Sequence, residues 1–222
     1  MNAPGKFPLP ILVGLAACTW LAVAVFLYGA KPELGFFKPM SIVTAVLAAV
    51  LASFDRWLWR IPPFSWIHGV PDLNGTWIGE TRSTYQDPQT KTTVEPIKSV
   101  AVIRQTYTSI YVRQFSVESI SVSLAGKLVA DSDGQMKVWY LFRNEPKLSV
   151  QDRSRVNYGG AHLAIGDEDE VLDGAYWTDR KTSGEISLRY VSSKHAKDYN
   201  SGMAIAAKEK PKGPPTSAIP NA

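Results

Sequence analysis

A single cysteine, Cys18, stands in a chain of 222 residues. An intramolecular disulfide is therefore excluded, as are a disulfide framework and a thiolate metal site, a usage that fits a reducing compartment. Histidine is almost as scarce: His68, His162 and His195 lie far apart, and none belongs to an H-E-x-x-H motif or to a Cys/His cluster. The usual signatures of metal catalysis are thus missing. No G-x-S-x-G nucleophile elbow occurs, and Gly126-Lys127 lacks the preceding glycine spacing and the following Ser/Thr of a phosphate loop. The acidic run Asp167, Glu168, Asp169 and Glu170 does not have calcium-loop spacing and reads as an exposed turn. These absences predict a protein with no cofactor, no metal and no enzymatic activity.

Surplus positive charge is also missing from the place where nucleic-acid binding would need it. The formal net charge is +4, but residues 72–190 hold fourteen Lys/Arg against sixteen Asp/Glu, and the excess lies in the first 71 and the last 32 residues. A long phosphate backbone needs a broad field of uncompensated cations, so long DNA or RNA is not an expected partner. A small anion needs only a few converging groups. Arg104, Arg113, Arg143, Arg153, Arg155, Arg180 and Arg189 are interleaved with Tyr107, Tyr140, Tyr158, Tyr176 and Trp177, and such forks and rings suit phosphate oxygens and bases.

What the chain has in plenty is apolar sequence near its start. From Leu9 to Ala30 there are twenty-two residues without a charge, and from Pro39 to Phe54 sixteen. Runs of this kind predict two transmembrane helices, the second extended by Phe36 and Phe37 and flanked by Trp57, Trp59, Arg56 and Arg60. The short connection Lys31 to Lys38 would return the chain to its starting side. Ala45, Ala49 and Ser53 would share a face that another helix could approach closely.

Past the segment IPPFSWIHGVPD the texture changes to short alternating stretches separated by turn formers. The pattern predicts strands near Thr76–Thr84, Ile97–Gln105, Ser109–Phe115, Ser119–Ala130, Met136–Arg143, Arg153–Tyr158 with a continuation at His162–Ile165, Asp173–Thr178 and Gly184–Tyr190. Breaks fall at Asp87-Pro88, Asp131 to Gly134, Asn144 to Pro146, Gly159-Gly160, Asp173-Gly174 and Thr182 to Gly184. On the fourth strand Ile120, Val122 and Leu124 would pack inward while Ser119, Ser121 and Ser123 meet water. On the fifth, Met136, Val138, Tyr140 and Phe142 oppose Lys137, Trp139, Leu141 and Arg143. With no amphipathic helix between strands, the expected class is all-β, an eight-stranded antiparallel, lipocalin-like barrel preceded by two transmembrane helices, with a sandwich as the rival. The domain reading is a two-helix anchor (1–58), a linker (59–71), a ligand-sensing barrel (72–192) and a disordered basic tail (193–222).

Leu73-Asn74-Gly75-Thr76-Trp77, Trp139-Tyr140 with Asn144-Glu145-Pro146, Gly160-Ala161-His162-Leu163, and Leu172 through Arg180 followed by Gly184 occur in this order behind the two apolar runs. In this layout the chain through Tyr190 resembles the two-transmembrane β-barrel effectors of bacterial CBASS anti-phage systems, the STING-like, CD-NTase-associated cyclic-nucleotide receptors. The resemblance implies a cyclic di- or trinucleotide ligand, a homodimer that assembles into higher oligomers on binding, contact with membrane lipids, and disruption of the inner membrane in abortive infection. It also implies a two-pass inner-membrane location with the β domain and both termini cytoplasmic. The expected site joins Tyr140, Asn144, Arg153, His162, Tyr176, Thr178 and Arg180. There Tyr140 or Tyr176 would stack on a base, Arg153 and Arg180 would neutralise phosphates, and Asn144, His162 and Thr178 would supply hydrogen bonds. The alternative is a lipocalin-like membrane scaffold that binds a protein partner and no nucleotide.

Overall fold

The computed structural model describes residues 9–29, 40–85, 92–166 and 170–209. The Lys31–Lys38 connection, the Asp87-Pro88 break, Asp167 to Asp169 and the end of the chain from residue 210 lie outside the described residues. Two compact units are present: Met1–Val70 with Thr106–Thr108, and Pro71–Gln105 with Ser109–Ala222.

In the first unit, helices α1 (Leu9–Tyr28) and α2 (Met40–Arg56) form where the apolar runs were read. Ala24 and Val43 are their buried side chains among those described, whereas Ala45 and Ala49 of the small-residue face are exposed. The residues read as a linker fold into an aromatic nest through a 3-10 turn at Leu58–Arg60 and helix α3 (Phe64–His68). His68 sits at its centre. Its Nδ1 accepts from the Val70 amide at 3.0 Å, so its Nε2 donates to the Trp59 carbonyl at 2.8 Å. The Phe54 ring lies 5.1 Å from that of Tyr107. Asp55 receives the Thr108 amide and hydroxyl at 2.9 and 2.7 Å.

The expectation of two membrane-crossing helices is overturned. No helix among the described residues is long and apolar enough to cross a membrane. A span needs a rise of about 30 Å. The 17 residues of α2 rise only about 26 Å and end in the charged pair Asp55 and Arg56. The two-pass inner-membrane location, lipid contact and membrane disruption that followed from those spans lose their support with them.

The second unit is a closed antiparallel barrel in simple sequence order: β1 (Gly75–Ser83), β2 (Ile97–Gln105), β3 (Ile110–Phe115), β4 (Ser119–Ala130), β5 (Met136–Pro146), β6 (Asn157–Ile165), β7 (Val171–Thr178) and β8 (Ser183–Ser192). β8 returns to pair with β1, from Thr76 opposite Ser192 to Ser83 opposite Gly184. Trp77 fills the interior near the start of β1. It is fully buried, its Nε1 donates to the Leu73 carbonyl at 3.0 Å, and its ring meets Tyr190 edge-on at 5.4 Å. Alternation on β5 follows the sequence pattern, with Val138, Tyr140 and Phe142 buried and Trp139 and Leu141 exposed.

Two readings fail for identifiable reasons. Gly159-Gly160 is not a break but the middle of a continuous β6, which begins at Asn157 and leaves Arg153 in the loop before it. A Cβ on Gly160 would fall 2.4 Å from the Trp177 ring, so the glycine is there to admit an indole against the strand. On β4 the two faces are exchanged: Ser123 is 5% exposed while Leu124 is 61% exposed. The cause is a register shift between Ser123 and Ala125, where the Ser123 hydroxyl accepts the Val112 amide at 2.9 Å.

Residues 199–208, inside the segment read as a disordered tail, form helix α4 (Tyr199–Lys208). Asp198 caps it: its carboxylate accepts from the Ser201 amide at 2.7 Å, and the Ser201 hydroxyl is within 3.0 Å of the Asp198 amide. Its apolar residues Tyr199, Met203 and Ile205 join Val100, Val102, Phe115 and Ala196 in one cluster on the barrel's outer wall. Gly202 lies so close to Val100 that a Cβ would fall 2.3 Å from its side chain. Polar composition around a short apolar stripe hid this helix, whose stability comes from the wall it covers.

Replacing Trp77 with alanine removes the largest buried side chain of the barrel and leaves a cavity. Equilibrium denaturation is expected to show a loss of about 3–5 kcal/mol.

Candidate functional site

Strands β1, β3, β5 and β7 end, and β2, β4, β6 and β8 begin, at one rim of the barrel, which we call the mouth. The strand register climbs toward it: Trp77 pairs with Ala101, Ala101 with Gln114, Gln114 with Ser121, Ser121 with Asn144, and Asn144 with Asn157. Strand tilt is a necessity of closure, and it carries this inward-facing row from an apolar floor to a polar rim. Polar partners are found within the row and beside it. The Ser121 hydroxyl donates to Asn144 Oδ1 at 2.9 Å, and Gln114 Nε2 donates to Thr81 Oγ1 at 3.0 Å. Ser99, 1% exposed, faces the same interior, and its hydroxyl has no hydrogen-bond partner among the described residues.

At the rim, Asn157 is 2% exposed. With its amide oxygen turned to the guanidinium, it accepts from Arg180 Nε at 3.1 Å and also from Arg180 Nη2. Nη2 lies 3.2 Å from the Ser154 hydroxyl as well. The turn that presents Arg180 is tight: Thr178 and Thr182 hydroxyls are 2.7 Å apart, the Thr178 amide donates to the Thr182 carbonyl at 2.9 Å, and Lys181 takes a left-handed φ of 60°. Arg180 is thus a cation held by neutral groups, with no carboxylate partner among the described residues. Arg153 differs, because its guanidinium pairs with Glu118 of the adjacent β3–β4 turn at 2.5 Å, both side chains being more than half exposed. An exposed pair of this kind adds little stability and can be exchanged for another anion.

Of the seven residues expected at the site, Asn144, Arg153, Tyr176, Thr178 and Arg180 come together at the mouth end. Tyr176 faces inward, opposite Ala161 and over Gly184. Tyr140 lies deeper, 5% exposed, with its ring 6.1 Å from Phe142. His162 is on the outer wall, where it stacks on Trp139 at 4.8 Å and lies 6.3 Å from Trp177. Sequence reasoning missed Ser121, Gln114, Ser154 and Asn157. The serine alternation on β4 was the available signal for the first, read then as a wet face when it marks a polar interior.

The model of the Cap15, cyclic dinucleotide receptor domain matches residues 68–190, more than half of the chain. The chain belongs to this family. No curated protein matches it. The receptor domain so defined takes in all eight strands up to Tyr190 of β8 and the whole mouth, and its family is one of receptors rather than catalysts. Among the described residues no group of three or more His, Cys, Asp or Glu is placed to hold a metal ion.

Burial raises the Tyr140 phenol far above its ordinary value near 10. The folded state then keeps a proton that the unfolded chain releases, so stability is fully present below pH ~10 and falls as pH rises beyond it. Denaturation midpoints measured across the alkaline range are expected to drop in the native protein and to drop less in Tyr140→Phe.

Proposed function

We propose that the receptor domain binds a cyclic dinucleotide at the barrel mouth, with the Arg180 guanidinium on a phosphodiester. The observation that carries this reading is the anchoring of Arg180 by buried, neutral Asn157 and by Ser154, which fixes the fork and leaves its charge uncompensated. A fork held in place loses little freedom when it meets phosphate, and charge-assisted contacts of this kind are the strong ones. Thr178 and Asn144 supply hydrogen bonds beside it, Tyr176 offers a ring to a base, and Arg153 reaches the second phosphate by leaving Glu118. The polar row from Gln114 to Asn157 favours this reading over a scaffold with a dry interior. The near-balance of charge over residues 72–190 favours a small phosphate ligand over long nucleic acid.

A dimer that grows into larger assemblies on binding belongs to the same proposal. The surface it would use is the outer wall of Leu124, Trp139, Leu141 and Trp177, each more than 40% exposed, an apolar area of the kind that marks contact between proteins. Sedimentation of the full chain with and without ligand reads this, and an unchanged profile removes it.

Calorimetric titration of the full chain with cyclic di-adenylate, cyclic di-guanylate and the mixed cyclic dinucleotide is expected to give saturable binding to at least one. Arg180→Ala is expected to weaken it by roughly 10- to 100-fold, the scale of one lost charge-assisted contact. Asn157→Ala should weaken it in the same direction by releasing the fork. Binding to none of the three sinks the proposal, and unaltered affinity in Arg180→Ala removes that residue from the site.

A further inference from the structure

We infer a second anion site on the outside of the barrel, on the far side of the wall from the interior row. A groove of about 610 Å³ is lined by Arg104 of β2, Tyr111 and Arg113 of β3, and His195, Ala196 and Lys197 of the segment that follows β8. Arg104 and Tyr111 are direct cross-strand partners. Alternation sends their neighbours Ile103 and Val112 inward and leaves Arg104 and Arg113 exposed outside. The lining brings two guanidinium groups, an ammonium and an imidazole to one concavity, and contains no carboxylate.

That composition stands apart from the rest of the surface. Lys137 pairs with Asp131, Arg143 with Glu145, and Arg153 with Glu118. Arg104, Arg113 and Lys197 have no salt bridge among the described residues, in a domain where acids outnumber bases. Like charges gathered without a counter-charge raise the local potential and the concentration of anions.

The groove is also held in shape. The segment 194–197 is pinned at both ends, since the Thr76 hydroxyl donates to the Lys194 carbonyl at 2.6 Å and accepts the Ala196 amide at 2.9 Å, while the Lys197 amide donates to Ser201 Oγ at 3.0 Å. His195 Nε2 lies 3.1 Å from the Ile103 carbonyl. Arg113 Nη2 is 3.4 Å from the Tyr111 hydroxyl, which braces one fork beside a phenol. The volume is in the range of small-ligand sites, about 300–1,000 Å³, and three cations around one hollow fit the oxygens of a phosphate group rather than an extended polyanion. The site takes a phosphate-bearing small molecule, and it stands independently of the ligand assigned to the mouth.

The test uses the full chain, isotope-labelled for observation of arginine Nε–H signals, titrated with inorganic phosphate, pyrophosphate and adenosine monophosphate in low salt. Saturable shifts at Arg104 and Arg113 are expected, and they should persist in Arg180→Ala. Tighter binding of the nucleotide than of inorganic phosphate assigns the groove to nucleoside phosphates, and equal binding assigns it to the free anion. The double variant Arg104→Ala/Arg113→Ala should weaken binding tenfold or more. Arg104→Lys/Arg113→Lys keeps charge and packing stems, guards against a folding defect, and should fall between the two. Arg180→Ala should leave this binding unchanged. The inference fails if no probe shifts Arg104 or Arg113, if the folded double variant binds as the native chain does, or if Arg180→Ala abolishes the binding.

Discussion

The hydrogen-bond ladder between β1 and β8 turns a meander into a tube, and the remaining features of the receptor domain depend on that closure. Among the described strands no edge is left to pair with another chain. Closure also demands strand tilt, and tilt draws one inward-facing row from Trp77 at the floor to Asn157 at the rim. The same row is therefore a core at one end and a polar surface at the other. Trp77 has two roles there: its burial holds the floor, and its indole N–H secures the residues that lead into β1.

Much of the barrel was legible because period two is a geometric property of strands. Ile97–Gln105 and Ser119–Ala130 were read with the bounds the structure gives, and the alternation on β5 was read correctly. Three features were not readable from pattern alone. The orientation of β4 depends on a bulge beside Ser123, which sequence does not mark. Glycine at 159 and 160 serves aromatic packing from Trp177 and Phe142 rather than a turn. Helix α4 depends on a wall built from residues 100, 102 and 115, far away in sequence. The apolar runs do form helices, but crossing a bilayer asks for length as well as apolarity, and the described helices do not supply both.

For the site, residue type was the readable part and company was not. Arg180 and Thr178 could be picked from their strand end, whereas Asn157 and Ser154, which hold the guanidinium, gave no signal until the β5–β6 loop was placed beside the β7–β8 turn. Tyr140 and His162 show the converse. Each looked suited to a ligand, and each is engaged by the fold, one beside Phe142 within the barrel and the other against Trp139 outside it. The division among cations has the same origin. A guanidinium beside a carboxylate is already neutralised, so what distinguishes Arg180, and Arg104 with Arg113, is that none has a carboxylate partner among the described residues.

The family match ends at Tyr190, inside β8, whereas the folded unit continues through Lys208. An excised barrel trimmed to the matched segment would lose Ser192, the latch that Thr76 makes with residues 194 and 196, and the helical cover over Val100, Val102 and Phe115. The bared strip would be a sticky seam along a wall that is dry in the intact chain, and self-association of such a fragment would report the cut rather than the receptor.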